Sequence, residues 1–126
     1  MIEVISGIVS ALIAYVFNRL LIKRQKEKSI VFIIPLVEEC SKTLIAIMMG
    51  GSIIGVHVVF GIIEALYDLL HTKSKNAATI AAVLSLISHS IFGIISNYIY
   101  IWTGWLSLGI IITTIIHSTW NYFTTH

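Results

Sequence analysis

The sequence has little charge and only one cysteine. Charged residues make up 11% of its 126 residues, against about 25% in typical soluble domains, while 57% are hydrophobic. This balance excludes an ordinary soluble domain and indicates a membrane protein. The single cysteine, Cys40, excludes an internal disulfide framework.

Long apolar runs take up most of the chain. A membrane-spanning helix needs about 20 residues, so the chain has room for about five spans. Polar and glycine-rich breaks between the runs predict helices at about 3–22, 30–49, 53–70, 77–100 and 106–123. The predicted fold class is therefore all-α: a polytopic integral membrane helical bundle that forms one transmembrane domain over residues 1–126. Positive charges follow the first run instead of preceding it, so we interpret that run as a retained span and not a signal peptide.

Basic residues concentrate in the two loops that follow the first and third predicted spans. Two spans separate these loops, so both fall on the same side of the membrane. Positively charged loops stay in the cytoplasm, which predicts a cell-membrane protein with its N-terminus outside and its C-terminus in the cytoplasm. We prefer this interpretation to a nucleic-acid patch and expect no nucleic-acid partner. The loop residues are Arg19, Lys23, Arg24, Lys26, Lys28, Lys73 and Lys75.

The second predicted span contains three charged residues, Glu38, Glu39 and Lys42. One charge at the centre of a bilayer costs roughly 2.5–3.5 kcal/mol on insertion scales, so such a cluster indicates a functional site. Pro35, in the same span, is expected to kink the helix and free a carbonyl just before the glutamates.

The other predicted spans contribute Glu64, His89 and His117. Measured from the predicted cytoplasmic ends, Glu38, Glu64 and His117 lie about 9–12 Å deep and His89 about 18 Å deep. Span ends are uncertain by about two to four residues, so the four groups can share one layer. Four polar groups on four helices at similar depth predict a single site.

Helical spacing suggests a separate chemical role for each of these groups. Lys42 lies three and four residues after the two glutamates, so it can pair with either while the other faces the bundle centre. Such a glutamate suits a general base that deprotonates water. His117 and Asn121 share one helix face and can donate hydrogen bonds to a developing oxyanion.

Four segments of the chain resemble the motifs of the PrsW-type intramembrane proteases, part of the superfamily of CAAX proteases and bacteriocin-processing enzymes. Pro35-Leu-Val-Glu38-Glu39-Cys-Ser-Lys42 is similar to Glu-Glu-x-x-Lys with its upstream proline, and Phe60-Gly-Ile-Ile-Glu64 to Phe-x-x-x-Glu. The third and fourth motifs are matched by His89-Ser-Ile-Phe92 and by His117-Ser-Thr-Trp-Asn121. Family members usually have more than five spans, so the chain looks like a core without peripheral helices, and a homo-oligomer is a possible assembly.

The resemblance implies an integral membrane endopeptidase that cleaves a membrane-anchored protein or peptide with glutamate-activated water. The expected catalytic residues are Glu38, Glu39, Glu64, His89, His117 and Asn121, supported by Lys42 and Phe60. The choice between Glu38 and Glu39 as base stays open. Metal dependence also stays open: the enzyme needs no cofactor, or it binds zinc through Glu38 or Glu39, Glu64, His89 and His117.

Two other functions fit the same residues. Buried glutamate and histidine chains also serve as proton relays, which would make the chain a small proton-coupled transporter or channel. A non-catalytic immunity or binding protein of the same fold is the third possibility. We expect His57, which matches no motif, to have a structural or supporting role, and the Cys40 thiol to be unreactive in an apolar helix.

Overall fold

The computed structural model describes residues 1–22 and 29–125, and these form five helices without a strand. The predicted all-α helical bundle is therefore confirmed. A single π-helical turn, Ser29–Ile33, leads into the second helix. The basic residues Lys23, Arg24, Lys26 and Lys28 of the first predicted basic loop lie outside the described residues. The helices are α1 (Ile2–Ile22), α2 (Ile34–Met49), α3 (Ile53–His71), α4 (Lys75–Thr103) and α5 (Leu106–Thr125).

Three of the five helices, α1, α3 and α4, are long and apolar enough to cross a membrane. Helix α2 has only 16 residues and contains the three charged side chains. Large apolar side chains cover the outside of the bundle, whereas charged and polar side chains are buried inside it. Leu70 is 79% exposed and Ile101 is 71% exposed, while Lys42 and His57 are fully buried. This distribution is that of a membrane protein, in which lipid replaces water around the apolar surface.

The helix ends lie at the breaks that the sequence shows. Gly50 ends α2 and Gly104 ends α4, both with positive φ (71° and 73°), a conformation that glycine adopts without strain. The side chains of Ser52 and Ser74 accept hydrogen bonds from backbone N–H groups in the first turns of α3 and α4. These residues therefore fix the lengths of the central helices.

Pro35 lies in the first turn of α2, directly after the π-helical turn. The expected irregularity before the glutamates is present as this π-helical turn, which continues directly into α2 with Ile33 in helical conformation. In the first turn, the missing N–H of proline has no intrahelical partner to lose. In the regular helix that follows, Glu38 and Glu39 lie one turn later and face the interior of the bundle.

Helices α3 and α4 make the most extensive contact in the bundle. Each has a histidine followed four residues later by a glycine, and the two pairs face each other in reverse order. A Cβ atom added to Gly61 would lie 3.1 Å from Cβ of His89, and one added to Gly93 would lie 2.6 Å from Cβ of His57. The glycines thus bring the two backbones close enough for both histidines to reach the bundle interior.

Candidate active site

The charged triad of α2 faces the interior of the bundle. Glu39 and Lys42 are fully buried, and Glu38 is 4% exposed. Lys42 Nζ donates a hydrogen bond of 2.6 Å to Glu39 Oε1. The i and i+3 spacing of this pair places both side chains on one face of the helix. Glu39, and not Glu38, is therefore the carboxylate that neutralises Lys42.

Lys42 uses its ammonium group on three different helices. Besides Glu39, it donates to Nδ1 of His89 on α4 at 2.9 Å. The same nitrogen lies 4.6 Å from the ring centroid of Phe60 on α3, within the range of a cation–π interaction. An ammonium has three N–H donors, and the contacts with Glu39 and His89 use two of them.

The partners of His89 fix which ring nitrogen holds its proton. Lys42 can only donate, so Nδ1 of His89 accepts and Nε2 holds the proton. Nε2 then donates to Glu64 Oε2 on α3 at 2.5 Å. Ser85 Oγ donates to the same oxygen at 2.7 Å. Glu64, whose side chain is 39% exposed, is the outer end of this series of contacts.

Glu39 receives hydrogen bonds on both of its oxygens. His117 Nδ1 on α5 lies 3.0 Å from Oε1, which Lys42 also contacts. His57 Nε2 on α3 lies 3.1 Å from Oε2. Helices α2, α3 and α5 thus meet at this carboxylate, and three donors occupy most of its lone pairs. Glu39 therefore contacts more of the site's side chains than Glu38 does.

Glu38 has a different environment. Its Oε1 accepts a hydrogen bond of 3.1 Å from Asn18 Nδ2 on α1. Its Oε2 is buried, and no donor among the described residues reaches it. His117 Nε2 lies 3.8 Å from the same oxygen. Because His117 uses Nδ1 to donate to Glu39, the neutral ring has a lone pair on Nε2.

The pair formed by Glu38 Oε2 and His117 Nε2 suits one water molecule. Two acceptors 3.8 Å apart can both be reached by a water that donates two hydrogen bonds of about 2.8 Å. Leaving such an acceptor buried and unpaired costs about 1–3 kcal/mol, so a donor at this position is favoured. The distance between these two acceptors is therefore compatible with a bridging water.

A cavity of about 520 Å³ lies beside Glu38, between α1 and α3. Its wall is mostly apolar, with few polar groups, which is the usual composition of a ligand site. Glu38 and Glu64 both line it, so these two glutamates of the buried polar cluster face the same cavity. The lining residues are Ala11, Ala14, Tyr15, Asn18, Arg19, Glu38, Phe60, Ile63, Glu64 and Tyr67.

A metal ion fits these residues poorly. Among the described residues, Glu38, His89 and His117 have donor atoms within 4.8 Å of one another, whereas Glu39 and Glu64 are not part of this group. Both ring nitrogens of His89 are already used, one by Lys42 and one by Glu64. A metal would have to break one of these contacts and would lie next to the Lys42 ammonium. Glu38 and His117 alone do not make the three-ligand set of a catalytic zinc site.

The remaining predicted residues lie around this centre. Phe60 contacts both Lys42 and His89, with its ring centroid 5.1 Å from that of His89. Asn121 is half-buried and lies one turn of α5 beyond His117, on the same face. Phe92, the last residue of the third motif, packs against the His117 ring at 4.9 Å. Cys40 is half-buried, and its thiol is free.

Two residues of the site were not among the predicted catalytic residues. His57 matches no motif, and its place two turns before Glu64 on α3 was the only sequence signal. The second residue is Asn18, and α1 contains a sequence pattern that points to it. Ser6, Ser10, Ala14 and Asn18 follow one another at four-residue intervals and so share one helix face. Ser6, Ser10 and Ala14 are buried, and Ser10 Oγ contacts the backbone oxygen of Ser41 on α2 at 3.2 Å. This small, polar stripe is the face of α1 that packs on the site.

Comparison of the chain with protein-family models, with curated protein sequences and with solved structures found no match.

Proposed function

We propose that the chain is an intramembrane endopeptidase, similar to the PrsW type, in which Glu38 activates the hydrolytic water. The observation that carries this proposal is the buried, unpaired Oε2 of Glu38, which lies 3.8 Å from His117 Nε2 on a residue that lines the cavity. A water between the two bases can lose a proton to Glu38 as its oxygen bonds to the scissile carbonyl carbon. Glu38 then returns that proton to the amide nitrogen as the carbon–nitrogen bond breaks.

The oxyanion that forms in this step needs hydrogen-bond donors. With its proton on Nδ1, neutral His117 has none to offer on Nε2, so its support of the oxyanion requires the imidazolium form. The amide of Asn121, on the same face of α5, has two N–H donors in every protonation state. Asn121 is therefore our choice for the principal oxyanion donor.

The contacts of Glu39 support a positioning role. It orients His117 through Nδ1 and holds Lys42, which in turn orients His89. A base held by a second group that is itself held by a third is the common arrangement of activated nucleophiles. Glu64 and His89 extend the same series of contacts to the cavity wall, where a substrate would meet them.

The proposed substrate is a membrane-anchored protein or peptide, because the cavity lies between helices that are long enough to span a membrane. We further propose that the N-terminus lies outside the cell and the C-terminus in the cytoplasm. Lys73, between α3 and α4, and Lys75, the first residue of α4, are both exposed and support this orientation through the positive-inside rule.

The test is cleavage of tagged single-span peptides in proteoliposomes, with the products identified by mass spectrometry. A panel should compare uninterrupted leucine-rich spans with spans that contain a central Gly-Pro pair, since only a locally unwound segment exposes its peptide bonds. We expect the wild-type protein to cleave members of the second group and Glu38→Gln to cleave none. Equal cleavage by the two proteins would reject Glu38 as the base.

A proton-coupled transporter is the second candidate, and one observation favours it. Glu64, His89, Lys42 and Glu39 form a continuous hydrogen-bonded series from the cavity wall to the bundle centre. Such a series can conduct protons. Proton flux into liposomes, measured with a pH-sensitive dye and lost in His89→Leu, without cleavage of any peptide in the panel, would favour the transporter over the peptidase.

A further inference from the structure

The cavity beside Glu38 is a groove along the contact between α1 and α3. Its α1 wall runs from Ala11 to Arg19 and its α3 wall from Phe60 to Tyr67. At 1.5 Å per residue, each wall is about 10–12 Å long. Helix α1 lies outside the four matching motifs, so the resemblance assigns nothing to this wall.

Two residues that line the groove have a buried acceptor that no donor of the described residues reaches. One is Glu38 Oε2, on a side chain that is 4% exposed, and the other is Asn18 Oδ1. The orientation of the Asn18 amide follows from its partner: Nδ2 donates to Glu38 Oε1, and the reverse orientation would bring two acceptors together. No hydrogen-bond donor of the described residues reaches Oδ1. An occupant of the groove with N–H or O–H donors of its own would satisfy these acceptors and gain free energy by doing so.

The size of the groove and its unpaired acceptors favour one kind of occupant over others. A lipid acyl chain has no hydrogen-bond donor. An intact α-helix is about 10 Å wide and uses its main-chain N–H groups internally. An extended peptide rises about 3.3 Å per residue, so about four residues fit along the groove with free N–H groups. The apolar lining suits apolar side chains on such a segment.

We propose that this groove binds an unwound apolar segment of a peptide substrate, and that Asn18 Oδ1 accepts a hydrogen bond from a main-chain N–H group of that segment. The proposal rests on the proposed function, because it names the substrate of Glu38. Within a membrane, an unwound peptide has no water to pair with its N–H groups, so an acceptor supplied by the protein stabilises the unwound state. Asn18 thereby has two roles: it orients Glu38 through Nδ2 and binds substrate through Oδ1.

Photocrosslinking tests the occupant directly. Tyr15, which lines the groove and is 50% exposed, is replaced by benzoylphenylalanine in full-length Glu38→Gln protein, so that a bound peptide is not cleaved. The probes are two biotinylated single-span peptides in phosphatidylethanolamine and phosphatidylglycerol liposomes, one uninterrupted and one with a central Gly-Pro pair. We expect irradiation to attach the interrupted peptide at position 15. The control places benzoylphenylalanine at Val16, which is similarly exposed (53%) but is not part of the groove.

Each outcome of this experiment decides the proposal. Labelling of the interrupted peptide at position 15 and not at position 16 supports it. Labelling of lipid alone at position 15, or equal labelling of both peptides, overturns it. Labelling without cleavage by the wild-type protein keeps the groove and rejects the peptidase, whereas cleavage of the interrupted peptide without labelling at position 15 does the reverse.

Variants of Asn18 separate its two roles. Asn18→Leu removes both the donor to Glu38 and the acceptor, so we expect the affinity for the interrupted peptide to fall about three- to tenfold, the effect of one hydrogen bond. Asn18→Asp keeps an acceptor but replaces the amide donor with a second carboxyl group beside Glu38, which should share a proton with it, so KM should change little while kcat falls. An unchanged KM in Asn18→Leu would contradict the assignment of Oδ1 to substrate binding.

Discussion

His57 Nε2 lies 3.1 Å from Glu39 Oε2, and the other contact of the ring requires a shared proton between them. His57 Nδ1 lies 2.9 Å from the backbone oxygen of Ile53, which can only accept, so Nδ1 donates. A neutral His57 would then turn a lone pair toward Glu39 Oε2. Two lone pairs repel, so one proton must lie between the two atoms. This buried pair holds one proton more than an ionised glutamate beside a neutral imidazole.

The shared proton predicts that position 57 needs a donor toward Glu39. His57→Leu leaves Glu39 Oε2 buried without a partner, which costs about 1–3 kcal/mol. His57→Gln can place an amide N–H in the same position and should recover part of this loss. Thermal unfolding in detergent measures both variants, and equal midpoints for His57→Leu and the wild-type protein would contradict the shared proton.

Substitution of Gly93 on α4 tests the packing around His57 on α3. A Cβ added at Gly93 would lie 2.6 Å from Cβ of His57, so Gly93→Ala must displace the histidine or separate α3 from α4. Overpacking of this kind costs about 1–3 kcal/mol, and we expect peptidase activity to fall with the unfolding midpoint. Ser90→Ala, on the same helix, loses only a hydrogen bond to the backbone of its own helix and serves as the control. A Gly93→Ala protein as stable as this control would show that the contact is looser than described.

The two glutamates should respond differently to the same substitution. Glu38→Gln keeps an oxygen for Asn18 and removes no partner of Lys42, so the protein should fold normally. Loss of its general base should lower kcat by about 10²–10⁴-fold. Glu39→Gln leaves the fully buried Lys42 without its anionic partner, which costs about 3–5 kcal/mol. Unfolding midpoints and cleavage rates of both variants separate the roles, and a stable but inactive Glu39→Gln protein would reverse the assignment.

A double-mutant cycle isolates the Lys42–Glu39 pair. Lys42→Met alone removes the charge that neutralises Glu39, and it should destabilise the protein about as much as Glu39→Gln. With both substitutions together, no uncompensated charge is left between the two positions, so the double variant should be more stable than the sum of the single losses predicts. Strictly additive losses would mean that the two side chains do not depend on each other.

The sequence predicted the five helices because each break has a local physical signal. Gly50 and Gly104 adopt positive φ at helix ends, and Ser52 and Ser74 cap the helices that follow. The π-helical turn before Pro35 was not predicted, because the proline signal gives the place of an irregularity but not its form.

Sequence spacing could not decide which glutamate faces the cavity. Glu38 and Glu39 point about 100° apart, so a small rotation of α2 exchanges their environments. That rotation depends on contacts between distant residues, such as Ser10 with the backbone of Ser41. Asn18 was not predicted as a site residue for a related reason. One neutral amide in an apolar helix does not indicate a functional site until the structure shows its contact with Glu38.

The proposed orientation predicts which ends of α4 are accessible from each side. Asn76 and Ser107 are exposed near the two ends of this helix, which at 29 residues is about 43 Å long. Starting from Cys40→Ser, which removes the only cysteine, single variants Asn76→Cys and Ser107→Cys are treated in whole cells with a membrane-impermeant maleimide. We expect labelling at 107 in intact cells and at 76 only after lysis. The opposite pattern would place the C-terminus outside.

The occupied nitrogens of His89 predict a peptidase that does not depend on zinc. Nδ1 accepts from Lys42 and Nε2 donates to Glu64, so zinc binding would have to displace an ammonium or a carboxylate. We expect cleavage of the interrupted peptide to be unchanged after incubation with a zinc chelator, and purified protein to contain far less than one zinc per chain. Removing the competing cation in Lys42→Met frees Nδ1 of His89 and completes a set with Glu38 and His117, so this variant should bind added zinc more tightly than the wild-type protein. Loss of wild-type activity with the chelator and its recovery with zinc would instead show that the metal displaces Lys42 in the working enzyme.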